Sequence, residues 1–195
     1  MSDTREFIVD QAYSLFLHHS YEAVSISEIS KAIGLTKGAL YHHFKNKEEL
    51  FKSVIDKYLI ISGLTLTSMN VSFAAFIEET LKKASETMLG LMGEKSSFIP
   101  IDYISLLADA FRHYPGFANE KAHLINDEIE RIKTVMDQSI RNGELRPDIN
   151  TSVLAISYFS LTVGLASSVI GKNTPQQAIE SLRDQLYEFY KVLKV

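Results

Sequence analysis

The sequence predicts an all-α protein of about nine helices. Apolar residues recur at intervals of three and four along most of the chain, and the breaks between these runs fall at glycine, proline or short polar stretches. The 195 residues are 46% hydrophobic, which is typical of a chain with a full core. The first helix is expected over residues 4–19, where an apolar stripe alternates with polar positions.

Two short helices joined by a tight turn are predicted within residues 24–50. Ser25 or Ser27 can cap the first of them, because a short hydroxyl satisfies the free backbone N–H groups of a helix start. Gly34 suits the positive φ that often follows a helix, and Thr36 can cap the second helix. A turn of this length that contains glycine is typical of a DNA-binding helix-turn-helix.

The same stretch is locally basic, although the chain as a whole carries a net charge of −4. Residues 29–47 contain lysines and histidines but no acidic side chain. A duplex phosphate backbone is attracted by such a local field. Gly38 and Ala39 leave little bulk at the start of the second helix, which is the end of a recognition helix that meets base edges. The alternative is a solvated basic face on an ordinary helical hairpin.

The run from Ile33 to Leu50 resembles the TetR family of bacterial transcriptional regulators. The strongest matches are Gly34, Gly38, Leu40, Tyr41, Phe44, Lys47 and Leu50. The resemblance implies an N-terminal three-helix DNA-binding domain over residues 1–47 and a C-terminal ligand-binding and dimerisation domain over residues 48–195. In that arrangement the helix over residues 48–62 connects the two and transmits ligand binding to the DNA-reading unit.

The resemblance also implies which residues lie near DNA: Ser25, Thr36, Lys37, Gly38, Ala39, Tyr41, His42, His43 and Lys47. Lys37 is the best candidate for reading a base, since lysine can bond guanine acceptors in the major groove. Tyr41 can bond a phosphate or contact a thymine methyl, and either histidine can donate to phosphate. Lys47 should hold a phosphate at the start of the next helix, helped by that helix's dipole. The alternative for Tyr41 is a half-buried aromatic ring with a solvent-exposed hydroxyl.

The rest of the chain reads as a series of longer helices. Asn46 is a plausible cap for the connector, which is expected to run to about Ser62. Further helices are predicted over residues 73–92, from Pro100 to a stop before Pro115, over residues 117–141, over residues 150–171, and from Pro175 with Thr174 as its cap.

The segment from Ile149 to Gly171 carries no charged residue and is long enough to span a bilayer. Its many serines and threonines make it too polar for a membrane helix, so burial between protein partners is the better interpretation. Ser157, Ser160, Gly164 and Ser168 form a stripe of small residues where another helix could approach closely. We therefore expect a homodimer through residues 150–195, with a monomer core as the alternative.

A small-molecule pocket is expected among the helices of the larger domain. Its candidate lining residues mix apolar area with a few hydroxyls: Met88, Tyr103, Leu107, Phe111, Tyr158, Phe159 and Thr162. Such a lining favours a small, largely apolar effector. Plain core packing is the alternative for each of these residues.

Enzymatic function is not expected, and no catalytic residue, metal site or cofactor is assigned. Asp109 and His113, like His123 and Asp127, are four apart on a helix and could offer metal ligands, but exposed helix polarity explains both pairs better. There is no cysteine, which excludes thiol chemistry and fits a reducing compartment. The polar N-terminus lacks a signal-peptide core, so a cytoplasmic protein is expected. A metal-dependent helical enzyme and an adaptor without DNA binding remain as alternatives.

Overall fold

The computed structural model describes residues 2–60, 71–92, 100–164 and 175–195, and in these ranges the protein is all-helical, as predicted. Nine α-helices occur there: α1 Ser2–His18, α2 Ile26–Ala32, α3 Lys37–His43, α4 Lys47–Ile55, α5 Phe73–Met92, α6 Pro100–His113, α7 Phe117–Arg141, α8 Thr151–Val163 and α9 Pro175–Leu193. A short 3₁₀ turn, Tyr21–Ala23, separates α1 from α2. The second half of the helix predicted over residues 150–171 lies outside the described residues, as does Thr174, the predicted cap of the last helix.

The connector differs from the prediction of one α-helix to about residue 62. The α-helix ends at Ile55 and continues as a π-helical turn over Asp56–Ile60. This wider turn directs Tyr58 at α1, where its ring stacks on Tyr13 with centroids 3.7 Å apart and its hydroxyl donates to Asp10 at 2.7 Å. Lys57 contacts the same carboxylate at 2.6 Å. Contacts with another helix therefore favour the π turn.

The chain divides into two compact units. The first contains Met1–Gly63 and Ile101–Ala122, and the second contains Leu64–Pro100 and His123–Val195. The first unit is built on apolar side chains that are fully enclosed: Ile8, Phe16, Ile29, Leu40, Phe44, Leu50 and Phe51. Leu40 and Phe44, which are four residues apart, both lie in this small core.

The core of the second unit joins α5, α7, α8 and α9. Its largest enclosed side chains are Phe73, Phe76, Met136, Tyr158, Leu182 and Leu186. The Tyr158 hydroxyl is buried and donates to Thr80 Oγ1 at 2.9 Å, and Thr80 donates to the carbonyl of Phe76 at 2.9 Å. The hydroxyls of Tyr158 and Thr80 are therefore paired, which avoids the penalty for burying an unpaired polar group.

The turn after α7 closes the second unit at one end. Gly143 there adopts φ +75°. Leu145 forms an antiparallel bridge with Lys194, and the Glu144 carboxylate accepts from the N–H groups of Phe73 and Ala74 at 2.8 and 3.0 Å. Glu144 thus satisfies the free donors at the start of α5.

Glu144→Ala is expected to lower the free energy of unfolding at pH 7 by about 1–3 kcal/mol, because it leaves two backbone donors unpaired. Burial alone would raise the pKa of Glu144, but the N–H groups of Ala74 and Phe73 hold it below its ordinary value of 4.5. With a depressed folded-state pKa, this stabilisation is present above pH 4.5 and is lost as the pH falls through the folded-state pKa.

Urea unfolding of both proteins, at pH 7 and at about pH 3, measures the effect. The difference in free energy should shrink at the acidic pH. An equal difference at both pH values would show that the carboxylate charge is not what stabilises this helix start.

Within the described ranges, no helix is long and apolar enough to cross a membrane. Helix α8 nevertheless leaves apolar side chains uncovered: Val153, Ile156 and Val163 are 56%, 52% and 55% exposed. These three residues share one face of the helix, at spacings of three and seven.

Candidate nucleic-acid interface

Three capping interactions shape the helix-turn-helix: the sequence predicts Thr36 and Asn46, and of the two candidates Ser25 and Ser27 the first is the cap. Ser25 caps α2, where its hydroxyl accepts from the Glu28 N–H at 3.2 Å and its own N–H donates to the Glu28 carboxylate at 2.7 Å. The Ser25 hydroxyl, followed by its N–H, holds the pKa of Glu28 below its usual range. Thr36 Oγ1 accepts from the Ala39 N–H at 3.1 Å, and Asn46 Oδ1 accepts from the Glu49 N–H at 2.8 Å.

The turn between α2 and α3 comprises residues 33–36. Gly34 adopts φ +69°, as predicted, and the Leu35 N–H donates to the Ser30 carbonyl at 3.0 Å. Leu40 then anchors α3 in the core from its inner side. The outer side of α3 is consequently held at a fixed angle to α2.

That outer side is polar, cationic and open. Lys37, Gly38 and His42 are exposed, Tyr41 is 51% exposed, and Ala39 and His43 are half-buried. Lys31, Lys37 and Lys45 make no ion pair within the part of the chain that the structure describes. Their charges therefore remain available to an anionic partner.

Gly38 is not required by the packing of α3. A Cβ atom built on it would meet only Thr36 Oγ1, at 3.9 Å, which is an ordinary van der Waals distance. Glycine in a helix costs up to about 1 kcal/mol relative to alanine. The fold thus gives no reason for a missing side chain, whereas close approach of a partner to the start of α3 would.

Lys47 begins α4, and its ammonium group contacts Tyr21. Its Nζ donates to the Tyr21 carbonyl at 3.0 Å and lies 4.0 Å from the centroid of the Tyr21 ring. Burial, with Glu48 and Glu22 nearby, raises the pKa of Tyr21, so the ring is neutral. The sequence did not indicate this contact, because the two residues are 26 positions apart and belong to no local pattern.

The short turn that carries Tyr21 is also tied to α6. The Tyr21 N–H donates to Asp109 Oδ2 at 2.7 Å, and the ring of His113 stacks on the Tyr21 ring with centroids 4.3 Å apart. At the end of α1, His18 Nδ1 lies 3.0 Å from Asp102. The interpretation of Asp109 as exposed helix polarity is therefore wrong, because it is only 7% exposed. His123 and Asp127 are exposed, as expected.

The predicted effector-lining residues belong to two units. Tyr103 and Leu107 are half-buried and Phe111 is exposed in the first unit, whereas Phe159 and Thr162 are half-buried in the second. Tyr158 is enclosed in the second core, and the side chain of Met88 lies outside the described residues. That these residues line one pocket stays a prediction.

A cleft of about 420 Å³ does occur in the first unit, between the end of α1 and α6. Its walls include Leu17, His18, Asp102 and Asp109, and none of the predicted lining residues. In the described ranges, no group of three or more histidine or acidic side chains is arranged to hold a metal ion.

A capped helix-turn-helix with an open cationic second helix is the arrangement of a DNA-binding transcriptional regulator. The family model for bacterial regulatory proteins of the tetR family matches residues 8–54, which include α2, α3 and most of α1. These residues therefore form a DNA-binding domain of the tetR family.

Two curated relatives agree with this assignment. The HTH-type transcriptional regulator AcrR of Shigella flexneri is 27% identical over 162 residues, which is 79% of this chain and 72% of the relative. The TetC protein of transposon Tn10 from Escherichia coli is 43% identical over 65 residues, 33% of each chain.

The fold is also found in a solved structure, the complex of SmeT with triclosan. It is 17% identical, has a TM-score of 0.67, and the match covers 99% of this chain and 92% of that chain. SmeT is described as the repressor of the Stenotrophomonas maltophilia multidrug efflux pump SmeDEF. At this identity the likeness shows the fold alone.

Proposed function

We propose that this regulator is a homodimeric repressor that binds a pseudo-palindromic duplex operator and is released by a small, largely apolar effector in the cytoplasm. The observation that carries the DNA-binding part is the open side of α3, where Lys37 has no carboxylate partner among the described residues; the same holds for Lys31 on α2 and for Lys45 just after α3. Two copies related by a two-fold axis would place their α3 helices in successive major grooves, about 34–36 Å apart.

The DNA contacts are proposed at the residues identified from the sequence. Lys37 would reach base edges at the exposed start of α3, and Tyr41 and His42 would bind the backbone from its open side. The Thr36 hydroxyl accepts a bond from its own helix but keeps a donor proton for a phosphate. The Ser25 hydroxyl already interacts with the Glu28 carboxylate, so a phosphate would compete with that carboxylate for its proton. Lys47 keeps at least one N–H outside its contacts with Tyr21, because an ammonium group has three.

The dimer is proposed to form through α8 and α9. The exposed face of Val153, Ile156 and Val163 includes Ser160, a small residue that would let a second helix approach closely. Apolar side chains more than half exposed along one helix face favour a protein partner over solvent. A second copy fits best, since cyclic dimers are the commonest closed assembly.

The effector is proposed to be largely apolar or aromatic, which the half-buried Tyr103, Leu107 and Phe159 favour. The SmeT complex holds triclosan, a small aromatic compound, in the same fold. Thermal-shift screening against panels of apolar, aromatic and highly charged compounds tests this. Stabilisation by apolar or aromatic compounds is expected, and a response to highly charged ligands alone would contradict it.

The experiment that tests the proposed function compares Lys37→Ala with Lys47→Ala on duplex fragments selected from the source genome. Lys37→Ala should relax sequence preference by about 1–3 kcal/mol at one base position. Lys47→Ala should weaken all sequences alike and reduce the slope of log K against log salt by about 1.

Lys82→Ala is the matched control, since Lys82 is an exposed lysine on α5. It should change neither the sequence preference nor the salt slope. If the wild-type protein ignores duplex DNA at low salt, or if all three variants behave alike, the assignment of α3 as the reading helix is wrong.

A further inference from the structure

We infer that Asp109, on α6, positions Lys47 for its phosphate contact by holding Tyr21. The inference rests on the proposed function, in which Lys47 binds a phosphate. Asp109 does not contact DNA in this arrangement, so it is a positioning residue.

The first step is the contact between Lys47 and Tyr21. The ammonium group donates to the Tyr21 carbonyl at 3.0 Å and lies 4.0 Å from the ring centroid. Two directions of the ammonium group are thereby occupied, which fixes where its remaining N–H points. A shift of the Tyr21 backbone would move or release the ammonium group of Lys47.

The second step is the contact between Tyr21 and α6. The Tyr21 N–H donates to Asp109 Oδ2 at 2.7 Å, and the His113 ring stacks on the Tyr21 ring at an interplanar angle of 21°. Tyr21 is enclosed, and the 3₁₀ turn that carries it has only three residues. Its ring also packs on Phe16 and Phe51, but the hydrogen bond from its backbone N–H to a side chain is made to α6.

The third step is the chemistry of Asp109. A carboxylate that is 7% exposed loses most of its hydration, so it must be compensated by specific partners. The Tyr21 N–H is one of them, and Arg112 lies 3.7 Å from the other carboxylate oxygen. An apolar residue could occupy this position without the desolvation penalty. This indicates that Asp109 serves to accept the hydrogen bond from the Tyr21 N–H.

The consequence is a route from α6 to a DNA contact that does not pass along α4. Helix α6 also carries Tyr103, Leu107 and Phe111, three of the residues proposed to contact the effector. A displacement of α6 would move Asp109 and Tyr21 together and withdraw Lys47 from its phosphate. Effector binding would then directly weaken the contact between Lys47 and a DNA phosphate.

The test measures duplex affinity against salt for wild type, Lys47→Ala, Asp109→Leu, Asp109→Ala and the Asp109→Leu/Lys47→Ala double variant. Asp109→Leu keeps the branched shape and the number of side-chain heavy atoms, is somewhat larger, and has no acceptor. Asp109→Asn is the matched control, because it removes the same charge but retains an oxygen for the Tyr21 N–H. Asp109→Ala repeats the test if the leucine side chain prevents folding.

We expect Asp109→Leu to reduce the slope of log K against log salt by about 1, as Lys47→Ala does, because each variant loses one phosphate contact. Between 50 and 200 mM salt its affinity should fall roughly 3.5-fold less than that of the wild type. The Asp109→Asn slope should match the wild type, and the double variant should bind no more weakly than Lys47→Ala alone.

A merely structural role would lower the melting temperature and leave the salt slope at the wild-type value. That result, or additive effects in the double variant, overturns the inference while leaving the proposed function intact. If Lys47→Ala itself leaves the slope unchanged, the phosphate contact proposed for Lys47 is wrong, and the inference falls with it.

Discussion

Ile156→Glu is expected to convert the protein into a monomer and to abolish operator binding at concentrations where the wild type is bound. Ile156 is the middle residue of the exposed apolar face on α8 and is 52% exposed in the single chain. In a two-fold interface each substitution occurs twice, so two carboxylates would be buried without partners. Linked half-sites typically gain about 10²–10⁴ in affinity, and this gain would be lost.

Sedimentation analysis gives the oligomeric state, and a gel-shift titration on the selected duplex gives the affinity. Leu124→Glu is the matched control, because Leu124 is an exposed apolar residue on α7, outside residues 150–195. It should leave both measurements unchanged. A dimeric Ile156→Glu protein with wild-type affinity would place the interface elsewhere.

Gly38→Ala and Gly38→Leu are expected to weaken operator binding while stabilising the fold. An added Cβ atom meets only Thr36 Oγ1 within the protein, and either residue improves helix propensity by up to about 1 kcal/mol. On DNA it would stand between the start of α3 and the base edges. The expected loss is about 1–3 kcal/mol of binding free energy, greater for leucine than for alanine.

Urea unfolding and duplex titration on the same samples separate the two effects. Gly143→Ala is the control with the opposite pattern: its φ of +75° disfavours a side chain, so it should destabilise by about 1–2 kcal/mol and leave DNA affinity unchanged. Gly38 variants that keep full affinity would show that nothing approaches the start of α3 closely.

Local patterns in the sequence were enough to predict the reading unit. Capping needs only a short polar side chain before a helix and a backbone N–H within it, so Ser25, Thr36 and Asn46 could be assigned from neighbours three positions away. The same holds for Leu40 and Phe44, whose spacing of four places both on the core side.

The contacts that tie this unit to α6 could not be predicted in the same way. Asp109 lies 88 positions from Tyr21, and Asp102 lies 84 from His18. An acidic residue on a helix is usually solvated, so Asp109 was assigned to the surface. Only the folded structure shows that the Asp109 carboxylate is buried and accepts from Tyr21 in the 3₁₀ turn.

The end of the connector is a second such case. A π turn and an α turn have almost the same apolar periodicity over five residues, so the sequence cannot distinguish them. The distinction depends on Tyr58 and Lys57 reaching α1, which is again a contact between distant residues. The predicted pocket and the predicted domain boundary also depend on long-range packing, and they stay predictions.

The most direct test is to measure the stoichiometry and salt dependence of the purified full chain on a pseudo-palindromic duplex selected from its source genome. We predict an even number of chains on each duplex and an affinity that falls steeply with salt, in proportion to the phosphates contacted. A chain that sediments as a single copy and leaves the duplex unbound even at low ionic strength would contradict the account.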